Sequence, residues 1–234
     1  MDLVFWQGII SIHQKTFLEA LAKSDRVGTV VLVVETDISP YRESMGWEVP
    51  RIEGVEIIMA PNREKIQEIL TTHNTAIHVM SGIRGSRMMA VAMRIGAKQK
   101  VKMGAMSEPY DRRGLKGRLR DLKYWYFGQL FYRYFNFLLA IGKEGMYVYS
   151  RLGFDKKKLF PWAYFVSIPV PEKIPATDNK QRIIYAGRIE SGKGILQFVT
   201  ELAQTKAQNY VMDIYGSGPD EEKLKQLVAD NQLE

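Results

Sequence analysis

Apolar residues in this chain fall into short continuous runs, separated by stretches in which they recur at helical spacing. Asp2 to Trp6 predicts a strand with a turn at Gly8, and Ser11 to Lys23 a helix carrying Phe17, Leu18 and Leu21 on one face. The β-branched run Val27 to Val34 predicts a strand buried on both sides. After a loop containing Pro40, Gly46 and Pro50, Val55 to Met59 predicts a strand and Arg63 to Leu70 a short helix. The alternation then repeats: strand Ala76 to Met80, helix Gly85 to Ile95, strand Lys98 to Met103, helical segment Leu115 to Phe135, strand Phe137 to Ile141, helix Glu144 to Leu152. Alternation of this kind predicts an α/β fold, a parallel sheet covered by helices on both faces.

Pro169, Pro171 and Pro175, followed by polar residues to Lys180, read as an interdomain linker. The expected organisation is a Rossmann-like lobe over residues 1–170, a linker over 171–181 and a second unit over 182–234. The second unit carries a strand Arg182 to Ala186, a helix from Ile195 to Gln204, a strand Tyr210 to Tyr215 and a helix from about Asp220 to Ala229. Two strands and two helices bury too little surface to stand alone, so the chain is expected to be cut inside its second domain.

The 234 residues are 46% hydrophobic and 25% charged, the composition of a globular protein. The absence of cysteine excludes disulfides, thiolate catalysis and cysteine-ligated metals, and fits a reducing compartment. Met1 to Trp6 lacks the basic start of a signal peptide, and no apolar run is long enough to span a membrane, so a cytoplasmic location is expected. The net charge of +7 is concentrated. Arg112, Arg113, Lys116, Arg118, Arg120, Lys123 and Arg133 face a single acid, Asp121, within one segment, a local excess of six. A surface this basic calls for an anionic partner.

The most informative chemistry lies in Ile183 to Gly194. A strand delivers Gly187 and Arg188 at its carboxyl end, where open α/β sheets bind ligands. Lys193 sits in a Gly-Lys-Gly turn that opens a helix. A guanidinium, an ammonium and free helix amides converging there suit a diphosphate. An ordinary solvated turn is the alternative.

This segment resembles the start of the C-terminal lobe in family 4 glycosyltransferases, which have the two-lobed GT-B fold, and Gly216-Ser-Gly218-Pro219 is similar to that family's Gly-x-Gly-Pro turn. In the first lobe, Ser107 to Gly114, Ala140-Ile-Gly142 with Gly145, and Gly153 through Phe165 resemble the bacterial polysaccharide-building members. The resemblance covers nearly the whole chain. It implies transfer of a sugar from a nucleotide-sugar donor to a saccharide acceptor, lipid-linked in this branch, with retention of configuration. It implies no cofactor and no metal: Arg188 and Lys193 match the cations that stabilise the leaving diphosphate. Gly8 matches a position of close backbone approach to the donor phosphates, though a glycine there can serve turn geometry alone. Gly187, Gly216 and Gly218 belong to the implied donor site.

Two departures stand out. The family's pair of second-lobe glutamates would lie beyond Glu234, so the chain by itself is expected to be inactive or nearly so. Many relatives carry a first-lobe histidine near the sugar, and here Ser107 and Glu108 occupy the corresponding place. His13 is expected on the acceptor side or as a helix-terminal hydrogen-bonding group. His73 reads as an exposed loop residue and His78 as a satisfied core histidine. Glu108 and Asp111 follow a strand end, where a carboxylate can orient or deprotonate an acceptor hydroxyl. Pairing with Arg112 or Arg113 is the structural alternative.

The basic segment runs into an aromatic helix containing Tyr124, Trp125, Tyr126, Phe127, Phe131, Tyr132, Tyr134 and Phe135. Its cations together with Trp125 suit an anionic membrane surface, on the inner face of the plasma membrane; a core helix with a solvated basic end is the other reading. A nucleic-acid-binding module would use the same charge and aromatics, but no recognisable nucleic-acid motif is present. A dinucleotide enzyme would need Gly-x-Gly-x-x-Gly after the first strand, which is absent.

Overall fold

The computed structural model describes residues 1–38, 40–43, 46–83, 86–110, 112–167, 181–205 and 210–233. The chain divides into two compact units, Met1–Ile168 and Pro169–Glu234. The segment expected as a linker lies almost entirely outside the described residues.

The first unit is a seven-stranded, all-parallel sheet in the order β3-β2-β1-β4-β5-β6-β7. Its strands are β1 (Leu3–Ile9), β2 (Val30–Thr36), β3 (Glu56–Met59), β4 (Ile77–Ser81), β5 (Lys102–Ser107), β6 (Phe137–Ile141) and β7 (Leu159–Trp162). Between them run α1 (Ile12–Ala22), the short α2 (Pro40–Glu43), α3 (Arg63–Thr72), α4 (Arg87–Gln99), α5 (Gly114–Phe131) and α6 (Gly142–Arg151).

Both faces of the sheet are buried, and β1 shows how. Val4 and Trp6 point into a core shared with Ile69 and Leu70 of α3, Met89 and Met93 of α4, and Tyr149 of α6. Leu3 and Phe5 point the other way, against Leu18 of α1 with Leu32, Val79 and Met106. A strand apolar on both sides is what a sheet sandwiched between helices requires.

Several element boundaries differ from the sequence expectation. β1 continues through Gly8 to Ile9, so Gly8 is a strand residue and not a turn. The helix expected to stop at Ile95 runs to Gln99 and closes on Lys100 in the left-handed conformation, φ 57°. The following strand is therefore displaced to Lys102–Ser107. Ala97, Lys98 and Gln99 are good helix formers, and local propensity prevailed there over a brief β-like pattern. β7 was not anticipated, because Pro161 lies within it; it is an edge strand, where a missing backbone donor is tolerated.

The second unit holds two parallel strands, β8 (Gln181–Ala186) and β9 (Tyr210–Tyr215), with α7 (Ile195–Gln204) and α8 (Glu221–Asp230). Its core is small: Ile189, Ile195, Val199 and Leu224 are the buried hydrophobics among its described residues.

His78, in the middle of β4, is fully buried and satisfied. Its Nδ1 accepts from the Trp6 indole at 3.1 Å, and its Nε2 meets the His73 carbonyl at 3.0 Å. Burial lowers its pKa from the ordinary 6.5 to about 4, so the ring is neutral and donates through Nε2. His73 is the half-buried C-cap of α3, not an exposed loop residue.

Candidate functional site

In the sheet order, β1 and β4 are neighbours whose following helices leave in opposite directions along the sheet. Such a switch point leaves a crevice at the carboxyl ends of the strands. Here that crevice is a cavity of about 590 Å³. Gln7, Gly8 and Ile9 of β1, Ser11, His13 and Gln14 at the start of α1, and Ser81 at the end of β4 line it. Arg42, Ser86, Met89, Glu108 and Tyr164 complete the wall. Three residues picked from sequence, Gly8, His13 and Glu108, thus share one cavity although a hundred positions of sequence separate Gly8 from Glu108.

The polar groups around this cavity are held in place. Gln7 and Gln14 are both buried and hydrogen-bond each other through their amides, tying the end of β1 to α1. The Tyr149 hydroxyl meets Ser107 Oγ at 2.7 Å and donates to the Glu108 carbonyl, anchoring the chain as it leaves β5. The Glu108 carboxylate accepts from the Tyr164 hydroxyl. Burial, then this bond to Glu108, pushes the Tyr164 phenol up to about 12, so it stays a donor across the physiological range. Glu108 is therefore oriented by a tyrosine. Arg112 is engaged elsewhere, in a bidentate pair with Asp121 at 2.9 and 3.1 Å. The His13 ring packs edge-on to Trp47 with centroids 5.7 Å apart, and lies 6.3 Å from the ring of Tyr164. Asp111 lies outside the described residues.

Gly8 is informative because the fold does not need a glycine there. Its φ is ordinary, and a Cβ added to it would meet nothing within 4 Å. The open space in front of it belongs to the cavity.

In the second unit, two loops at the carboxyl ends of β8 and β9 interlock. Gly187 N donates to Tyr215 O and Ile189 N to Ser217 O, both at 2.9 Å, and Asp220 N returns to Ile189 O at 3.2 Å. The approach is so close that a Cβ on Gly216 would lie 1.8 Å from the Gly187 carbonyl oxygen, and one on Gly218 2.1 Å from that of Ile189. Sequence grouped Gly187, Gly216 and Gly218 as donor-site residues. The described contacts show backbone packing as the reason for Gly216 and Gly218.

Asp220 completes the assembly. Its carboxylate accepts from Ser191 N at 2.7 Å and Ser191 Oγ at 2.6 Å, and pairs with Lys223 at 2.7 Å. Lys223 and Ser191 hold its carboxyl well below the usual range, at about 2. Sequence placed this residue only at the start of the expected helix; its side chain crosses to the neighbouring loop. Arg188 is half-exposed, with its guanidinium 3.1 Å from Glu190 and its carbonyl accepting from the Tyr185 hydroxyl. Lys193 is exposed in a 3-10 turn, Ser191–Lys193, directly before α7. It borders a hollow of about 400 Å³ along β8.

The remaining sequence candidates, Lys116, Arg118, Arg120, Lys123 and Trp125, are on α5, with Arg113 at its N-cap and Arg112 just before it. Among the described residues there is no cluster of three His, Cys, Asp or Glu able to hold a metal, and no helix long and apolar enough to cross a membrane.

No family model matches the sequence, and no curated protein does. Solved structures do match. Anabaena HepE in complex with UDP is 12% identical over 100% of this chain and 67% of its own, with a TM-score of 0.70. The lipopolysaccharide outer core galactosyltransferase WaaB, in its apo form, is 12% identical over 100% of this chain and 66% of its own, with a TM-score of 0.61. The fold is of GT-B type. A Listeria monocytogenes protein assigned as a UDP-N-acetylglucosamine 2-epimerase matches as well, 12% identical over 99% of this chain and 66% of its own, at a TM-score of 0.55. The chain spans about two thirds of the length of these neighbours. At such identities the likeness concerns architecture alone, and GT-B architecture serves more than one chemistry.

Proposed function

We propose that this chain is part of a glycosyltransferase that moves a sugar from a nucleotide-sugar donor to a saccharide acceptor, with retention of configuration, as the resemblance to family 4 implies. One observation carries the reading. The loops after β8 and β9 are locked together by backbone contacts that exclude side chains at Gly216 and Gly218, and beside that lock stand Arg188, Lys193 and the first turn of α7. A rigid backbone corner with two cations and free helix amides suits a diphosphate. Cations fixed there favour the charge that builds on the leaving group as the glycosidic bond breaks, without reorganising at that moment. This assigns to Arg188 and Lys193 the work a metal does in other transferases.

In the first unit, Gly8 leaves room for a ligand at the end of β1, and Glu108, oriented by Tyr164, is the group we assign to the acceptor hydroxyl, with His13 at the rim. Asp111, three positions after Glu108 in the chain, belongs to this acceptor side in the reading. The crystals of Anabaena HepE with UDP and with UDP-glucose support a uridine nucleotide as the donor class. The acceptor in this reading is lipid-linked and met at an anionic membrane surface on the cytoplasmic side.

The test is calorimetric titration of UDP and UDP-glucose into the 234-residue chain, beside the R188A/K193A variant. Binding that falls at least about tenfold in the double variant supports the donor site, since two charge-assisted contacts are lost. Equal affinity in parent and variant would refute it. Salt-sensitive binding of RNA or DNA in a filter assay, with no binding of UDP, would favour the nucleic-acid reading. Epimerisation of a UDP-sugar with no acceptor present would move the chemistry to that of the Listeria neighbour.

A further inference from the structure

Helix α5 presents to solvent an apolar stripe that the sequence reading left unassigned. Leu115, Leu119, Leu122 and Tyr126 recur at i, i+4, i+7 and i+11, with Leu130 at the stripe's edge, and their exposures run from 40 to 78%. That spacing puts them on one side of the helix. Among the described residues of α5 the buried positions are Gly117 and Gly128, on the opposite side, where Tyr124 also stacks on Tyr110 at 3.9 Å. Gly117 faces the Arg112 backbone and Gly128 the Tyr132 ring, Tyr124 packs against the first unit's core, and the leucines are exposed, with Leu122 also bordering a hollow shared with Val148 of α6.

Charge flanks the stripe on both sides. Arg118 and Trp125 form one border, Lys116 and Lys123 the other, each pair seven residues apart and exposed. The segment's one acid, Asp121, is turned inward and tied to Arg112 and to the Tyr110 hydroxyl. Leucines in the middle, cations at the borders and a tryptophan at one border match the layers of a leaflet: acyl chains, interface and anionic headgroups. A nucleic acid would engage the cations and leave the leucines wet.

We infer that α5 is an in-plane membrane anchor whose leucine stripe inserts into an anionic leaflet while Lys116, Arg118 and Lys123 contact its headgroups. The inference rests on the membrane surface named in the proposed function, and it makes hydrophobic insertion, not charge alone, the source of binding. Because α5 follows Glu108 in the chain, the anchor also keeps the cavity's loop close to where lipid-linked substrates lie.

Co-sedimentation of the full chain with vesicles of phosphatidylcholine containing about one third phosphatidylglycerol tests this. The parent is expected to bind, to lose part of its affinity at about 0.5 M salt and to retain the rest. L115S/L119S/L122S should bind at least tenfold more weakly (order of magnitude) at low salt, whereas K116E/R118E/K123E should bind more weakly at low salt yet keep the part of the affinity that survives about 0.5 M salt. Quenching of Trp125 by brominated lipid in the parent, absent in W125F, reads insertion without depending on the leucine variant. A parent that ignores anionic vesicles, a leucine variant that binds like the parent, or a parent dimer that the leucine substitutions dissociate would each overturn the inference. UDP affinity of the leucine variant in solution gauges the donor site separately, so failure of the anchor and failure of the transferase reading give different results.

Discussion

Acidification should weaken the first unit through one side chain, His78. The folded chain holds this imidazole neutral, accepting from Trp6 and donating to the His73 carbonyl, with desolvation as the main cause of a pKa near 4 against 6.5 when free. Above the free value the ring is neutral in both states and contributes no pH dependence. As pH falls from about 6.5 toward 4, the unfolded chain takes up a proton that the folded chain refuses, so stability drops with decreasing pH. Each pH unit in that window costs roughly 1.4 kcal/mol, which amounts to about 3 kcal/mol before the loss levels off. H78N removes the titration while keeping an acceptor for Trp6. At about pH 7 it should be less stable than the parent by roughly 1–3 kcal/mol, for the lost bond to His73. At about pH 4.5 that gap should shrink by roughly 2–3 kcal/mol, or reverse. Urea unfolding followed by tryptophan fluorescence is a selective assay, because all four tryptophans, Trp6, Trp47, Trp125 and Trp162, lie in the first unit. Parallel stability curves for parent and variant from pH 7 to 4.5 (approximate limits) would refute the reasoning.

Other substitutions probe the two candidate sites. G8A meets open space, so its unfolding stability should match the parent within about 0.5 kcal/mol, while UDP-glucose binding falls; a variant that binds as the parent does would remove Gly8 from the donor site. G216A drives a Cβ against the Gly187 carbonyl at 1.8 Å, and should abolish UDP binding together with the circular-dichroism signature of a folded second unit. E190Q releases Arg188 from its 3.1 Å partner and should tighten UDP binding about two- to fivefold, the scale of an exposed ion pair; weaker binding would show that Glu190 positions the arginine. D220N loosens the Ser191 turn and should weaken UDP binding roughly fivefold, about the strength of one net hydrogen bond, as read by calorimetry.

The periodicity of apolar residues alone was enough to lay out the α/β alternation. Buried strands such as Val30 to Val34 leave a signature that little else in the chain can produce, because both faces of a parallel sheet must be dry. The same pattern misplaced β5, since the last turn of α4 and the strand after it are close in composition and the left-handed Lys100 marks the border. It gave no sign of β7, where proline at an edge is compatible with a strand but does not announce one. For the site, glycines and cations after strand ends were visible as a pattern along the chain. Their partners were not: Asp220 marked only the start of a helix, Tyr164 lay within a resembling segment without a role of its own, and the Gln7–Gln14 pair carried no motif.

What the linear order of residues determined was the class of architecture and the concentration of charge before and within α5. Tertiary structure decided which of those residues meet. Sheet order brings β1, β4 and β5 side by side, and so gathers Gly8, His13 and Glu108 around one cavity. The packing of Tyr124 against Tyr110 and the first unit's core decided which apolar residues of α5 face water. Periodicity is a property of each segment, set by local geometry; the pairing of segments and the direction of a helix face depend on contacts between residues far apart in the chain, which no local pattern encodes.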